Sequence, residues 1–200
     1  MIDFLRDNYS DVIGYHATKQ KNPCLIKEKG LKALSKYDYI ETSIKLFSKF
    51  NSEQEIVNVV NSFEDRIDTM NIEFAFYKSN FQDDFACTYL IYGSETLLGI
   101  ANMLDSYNCR KVLRNNNIPL IYKCIIPIVF ITEMDSVSLF ITMFTRCLMK
   151  MTNPNMTFGN TRCFEIDRKH LEPKHIKAYE IIKRRIIERY YDHCVYQYNK

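Results

Sequence analysis

The chain has 200 residues, enough to bury a core as one domain and short for two. Hydrophobic residues make up 46% and charged residues 26%, which is too apolar for a chain disordered along its length. The net charge of +3 at pH 7 is too small to mark a nucleic-acid binder by itself.

Residues 1–10 are expected to form a helical lead-in and residues 12–16 a short strand. Asn22-Pro23 opens a helix of one or two turns over residues 24–29, with Gly30 placed to close it. Residues 39–63 carry apolar side chains at helical spacing, broken near Asn51-Ser52, and Ser52 with Glu55 forms a capping-box pattern for the second piece. Residues 72–77 are aromatic-rich and read as a strand, residues 81–92 are mixed, and residues 94–104 have helical spacing at 97, 98, 101 and 104. Residues 120–130 read as a buried strand pair or one long strand punctuated by Pro127. Residues 137–151 suit strand or helix, and residues 162–166 a short strand. Residues 173–192 are expected to form an amphipathic helix, with Ile176, Tyr179, Ile182, Ile186 and Tyr190 on one face. There is no internal repeat, low-complexity tract or flexible linker, so the chain reads as a single domain, 1–200, with a helical C-terminal extension.

The seven cysteines show no CxxC or zinc-knuckle spacing and read as buried free thiols of a reducing compartment. The first seven residues lack a signal-peptide pattern. The most apolar run, residues 118–131, is interrupted by Lys123 and two prolines and is too short to span a bilayer. A cytoplasmic protein with no membrane association is the expectation.

Two segments about eighty residues apart each hold polar residues inside an apolar run. The first is Val12-Ile13-Gly14-Tyr15-His16-Ala17-Thr18, followed by a helix closed by Gly30-Leu31. The second is Tyr89-Leu90-Ile91-Tyr92-Gly93-Ser94-Glu95. A strand ending in His-x-Thr, a short helix stopped by Gly-Leu, an aromatic strand and a later Gly-Ser-Glu together resemble the ADP-ribosyltransferase superfamily, over roughly residues 12–130. The resemblance implies an α+β fold, with a small, split, antiparallel-rich sheet and flanking helices, and an NAD pocket. It implies that Glu95 is the catalytic carboxylate with His16 as a second catalytic residue, and that His16, Thr18 and Ser94, which lies beside Glu95, bind NAD. That carboxylate would stabilise the positive charge that develops on the ribose as the nicotinamide leaves. His16 would donate a hydrogen bond to a ribose hydroxyl, while Thr18 and the nearby backbone grip the nicotinamide amide. Tyr77 is the first choice for the ring that stacks on nicotinamide, with Tyr37, Tyr39 and Tyr92 as competitors.

Two positions depart from the family pattern. Ala17 stands where a glycine is familiar, and Glu95 opens a helix rather than a late strand, where a carboxylate also suits the helix N-terminus. Other chemistries have thinner support: there is no Gly-x-Gly-x-x-Gly, P-loop or Gly-x-Ser-x-Gly, and no metal template fits Cys163, His170, His175 and His193. No metal is expected.

The implied activity is transfer of ADP-ribose from NAD to a macromolecular target, protein or nucleic acid, a glycosyltransferase-class reaction. Proteins of this type are often toxins, effectors or mobile-element proteins in conflict with a host. Lys183, Arg184, Arg185 and Arg189 give the C-terminal helix a basic face, either merely solvated or a docking surface for the partner. One alternative is a non-enzymatic protein on the same scaffold that blocks a partner through that helix. Another is an NAD-dependent RNA phosphotransferase, which would need more arginines near the pocket than Arg6 and Arg66. The sequence leaves the oligomeric state open.

Overall fold

The fold is described from a computed structural model, over residues 7–81, 87–155, 163–183, 187–190 and 193–197. Its centre is a ten-residue antiparallel ladder between β1 (Asp11–Gln20) and β4 (Ile118–Pro127), in register from Asp11 opposite Pro127 to Gln20 opposite Ile118. β4 is apolar on both faces, so it lies inside the sheet rather than at its edge. Pro119 and Pro127 fall near its two ends, where a missing donor disturbs the ladder least.

The five-stranded sheet has the order β5 (Cys163–Ile166), β3 (Ile72–Ala75), β1, β4, β7 (Ile176–Ile181), antiparallel at every junction. A two-stranded ribbon pairs β2 (Leu31–Lys32) with β6 (His170–Leu171). Among the described residues the protein is thus α+β with an antiparallel sheet.

Two cores flank the sheet. On one face, Ala17, Ala75 and Ile121 meet helices α2 (Lys36–Phe47), α3 (Glu53–Asn61), α5 (Cys87–Tyr92), α6 (Glu95–Met103) and α7 (Ser106–Asn115) through Phe47, Ile56, Val60, Leu90, Ile100 and Leu113. On the other, Phe74, Tyr122, Ile126 and Phe164 are covered by Ile26 of α1 (Cys24–Lys29), Leu31, Leu171 and Leu139. Leu139 belongs to α8 (Glu133–Thr152), and the small α4 (Glu64–Thr69) leads into β3.

Local signals explain much of this. Ser35 and Asp38 form a reciprocal capping box on α2, and Ser52 caps α3 by accepting from the Glu55 N–H at 3.3 Å. Gly30 ends α1 with φ +86°, and a Cβ there would meet the Leu171 carbonyl oxygen at 2.3 Å, so only glycine fits between helix and ribbon.

The sheet is split. β1 and β3 pair only at Tyr15 opposite Ala75. Continuing that register would set Ala17 opposite Glu73, but the strands part there, and the His16 ring bridges the gap by donating from Nδ1 to the Glu73 carbonyl at 2.9 Å.

Among the described residues the expected amphipathic helix over residues 173–192 is not formed. Residues 173–175 make one short turn, Ile176–Ile181 adds to the free edge of β4, and β8 (Ile187–Tyr190) pairs with β9 (His193–Gln197). The segment is rich in β-branched isoleucine, and an open edge of β4 offers it a full row of partners, so tertiary context overrides helical spacing. Lys183 follows β7 and is exposed, Arg189 falls within β8, and Arg184 and Arg185 lie outside the described residues. Among the described residues no helix face displays these charges. Residues 1–6 of the expected lead-in also lie outside the described residues.

Candidate functional site

A cavity of about 380 Å³ opens where β1 and β3 diverge. Its walls include His16 and Ala17 from β1, Ile72 and Glu73 from β3, Tyr39 from α2, Tyr89, Gly93 and Ser94 from the α5–α6 turn, and Glu95 from α6. Arg66 and Glu165 complete one rim, and Leu31 to Leu34 another. His16 and Glu95, assigned to one site from sequence, thus face one cavity, and Ser94 lies beside them.

His16 is neutral in character. Burial pushes its pKa down, and the Glu73 carbonyl only partly opposes this. Because a carbonyl can only accept, the Nδ1 atom facing it carries the proton. Nε2 of the neutral ring is then an acceptor. Toward a sugar hydroxyl, His16 would accept a hydrogen bond rather than donate one.

Glu95 is the first residue of α6, but it does not cap the helix. Ser94 does, its Oγ accepting from the Leu97 N–H at 3.4 Å. The Glu95 carboxylate instead pairs with Arg66 at 3.2 Å, with both side chains about half exposed, so it stays accessible from solvent.

Thr18 is not part of the cavity wall. Its hydroxyl donates to the Gly93 carbonyl at 3.3 Å. The neighbouring Lys19 is only 6% exposed and donates from Nζ to the carbonyls of Ile91 at 3.1 Å, Leu113 at 2.7 Å and Arg114 at 2.7 Å. These carbonyls lie at the C-terminal ends of α5 and α7, where helix dipoles favour a cation. Burial pulls the Lys19 ammonium down to about 8. Residues 18 and 19 of β1 therefore hold the turn that presents Ser94 and Glu95.

Tyr77 does not reach the cavity. β3 ends at Ala75, and Tyr77 lies beyond it on the surface, 46% exposed, with its hydroxyl and ring both engaged by Arg146 of α8. Tyr39 and Tyr89 supply the aromatic walls instead. Tyr89 donates to Glu73 Oε2 at 2.9 Å, and burial together with the Glu73 and Glu95 carboxylates raises its pKa. Tyr37 is 73% exposed, and Tyr92, buried among Arg110 and Arg114, is likewise absent from the wall.

Sequence reasoning missed Glu73, Tyr89 and Glu165. Glu73 carried a usable signal, since it is a charge inside the apolar run Ile72-Glu73-Phe74-Ala75, as His16 is inside its own. Nothing local marks Glu165, whose carboxylate accepts from Asn71 at 3.2 Å across the β3–β5 junction.

Among the described residues no group of three or more His, Cys, Asp or Glu side chains is arranged to hold a metal ion, and no helix is long and apolar enough to cross a membrane. Comparison of the chain with protein-family models, curated proteins and solved structures finds no match in any of the three.

Proposed function

We infer that the split-sheet cavity binds NAD and that the protein is an ADP-ribosyltransferase-like enzyme acting on a macromolecule, protein or nucleic acid. The single observation that carries this reading is that His16 and Glu95, far apart in sequence, line one cavity together with Tyr39 and Tyr89. Its volume lies within the roughly 300–1,000 Å³ range of small-molecule sites. Its wall also fits the chemistry of the group. Glu73, Glu95 and Glu165 outnumber Arg66 and Lys32, which suits a positively charged pyridinium ring, while phosphate oxygens would compete for Arg66 with Glu95 at 3.2 Å and for Lys32 with Asp38 at 3.1 Å.

Bound NAD would supply an activated ribose carbon whose bond to nicotinamide breaks with both electrons leaving on the nicotinamide nitrogen. The acceptor group on the target forms the new bond to that carbon and gives up its proton. Nε2 of His16 accepts from a ribose hydroxyl and fixes the sugar's orientation. The Glu95 carboxylate sits by the positive charge that grows on the sugar and lowers its energy. Tyr39 or Tyr89 offers a flat apolar face to the nicotinamide ring. A role in conflict with a host, as toxin, effector or mobile-element protein, accompanies this reading by family resemblance alone.

A cavity with two basic side chains favours this chemistry over RNA phosphate transfer, which calls for a denser arginine set. The deciding measurement is calorimetric titration of the protein with NAD, together with the His16→Ala variant. Micromolar binding that weakens at least about tenfold in the variant supports the reading. No heat and no nicotinamide release at millimolar NAD overturn it.

A further inference from the structure

α8 carries an apolar stripe directed away from the protein. The helix is anchored on its inner side by Ser136 and Leu139, both buried, and by Arg146 gripping Tyr77. On the opposite side Met134, Val137, Ile141, Phe144, Leu148 and Met151 follow one another at alternating intervals of three and four residues. Five of these six are strongly exposed: Met134 85%, Ile141 54%, Phe144 56%, Leu148 47% and Met151 80%. This is a heptad repeat with apolar a and d positions, the pattern that seats one helix against another. Its immediate flanks, Ser138, Phe140, Thr145 and Cys147, carry no charge.

We propose that two copies of this chain pair through α8, antiparallel, about a two-fold axis near the middle of the helix. Reversing the stripe onto itself sets Ile141 against Phe144 of the second copy, Val137 against Leu148 and Met134 against Met151, so every apolar position meets its complement. An antiparallel arrangement also opposes the two helix dipoles and separates the Glu133 side chains by about the helix length, roughly 30 Å. The five exposed side chains present on the order of 600 Å² per copy, hence roughly 1,200 Å² for a pair, which reaches the size of stable protein interfaces. A lipid surface fits less well, because the stripe lacks the basic fringe that membrane-surface helices carry.

The test is sedimentation equilibrium of the full chain and of the double variant Ile141→Glu with Phe144→Glu. The chain should sediment as a dimer at micromolar concentration, and the variant as a monomer, with dimer dissociation raised at least about a hundredfold. Circular dichroism and cooperative urea unfolding should match between the two, since both positions are solvent-facing in one copy. Orientation is read by mixing Met134→Cys and Met151→Cys chains in a Cys147→Ser background. Mixed disulfides support the antiparallel register, and a disulfide between two Met151→Cys chains overturns it. A wild-type chain that is monomeric at about 100 µM overturns the pairing. So does a monomer that binds phosphatidylcholine–phosphatidylserine vesicles through the same two side chains, which would assign the stripe to a membrane.

Discussion

The Thr18 hydroxyl donates to the Gly93 carbonyl at 3.3 Å, joining the two polar-in-apolar segments of the sequence by a direct bond. Gly93 has φ +87° and its N–H returns to the Tyr89 carbonyl at 2.9 Å, so it ends α5 and turns the chain toward Ser94 and Glu95. Thr18 thereby sets where Glu95 starts its helix without touching the cavity itself.

Replacing Thr18 by Val keeps the shape and removes the bond. The expected loss of stability is about 1 kcal/mol, the usual net worth of one part-buried hydrogen bond. Turnover should fall more than NAD affinity, because Glu95 drifts while the other walls stay in place. Thr18→Ser should restore both. Urea unfolding read beside transfer kinetics checks this, and a Val variant with full turnover would remove Thr18 as a positioning residue.

Glu95→Gln separates catalysis from folding. Ser94 caps α6, and the Arg66–Glu95 pair is about half exposed, so the substitution should change stability by no more than about 0.5 kcal/mol. NAD affinity should hold within a few-fold. On the proposed mechanism transfer should drop by roughly 10²–10³-fold, because there the lost charge acts mainly on the transition state. A Gln variant that turns over at the wild-type rate would exclude the carboxylate from the reaction, and one that fails to fold would show that its first-turn charge is structural.

The helices over 24–29, 36–61 and 95–103 and the long β4 strand were legible because their signals are local, whereas α4 and α5 were not read as helices. The Ser52 cap, the Gly30 stop and the apolar spacing of α6 each lie within a few residues of what they control, while sequence reasoning missed the equally local Ser35 cap. The expectation that His16 and Glu95 line one pocket came from a resemblance rather than from any local signal, and both do line the cavity. The edge strand β7 was not, because Ile176, Tyr179 and Ile182 satisfy helical spacing as well as strand propensity, and the choice belongs to β4, some fifty residues earlier. Tyr77 failed as a ring-stacker for a boundary of two residues: β3 stops at Ala75, and the Tyr77 side chain turns outward to Arg146. Lys19 carried no warning at all, since a lysine beside Thr18 reads as solvated until α5 and α7 close their ends over it.

Lys19 also gives the protein a measurable pH signature. Its pKa falls from 10.5 in the unfolded chain to about 8 in the fold, through burial. Between those values the unfolded chain holds more protons than the folded one, so this group makes stability rise with pH across the window from about 8 to 10.5. The full effect is at most about 3 kcal/mol, and it is absent below the folded value, where both states are protonated. Buried thiols act oppositely over part of the same range. Burial raises Cys109 to about 11 and both Cys124 and Cys163 to about 12, so their contribution is lost as pH climbs above the usual thiol value. The difference between wild type and Lys19→Met isolates the lysine, because the thiols are common to both. Urea unfolding at pH 7, 8, 9 and about 10 should show the wild type gaining on the variant by up to about 3 kcal/mol as pH rises. A difference that stays flat would mean that the three carbonyls around Nζ hold the ammonium as well as water does.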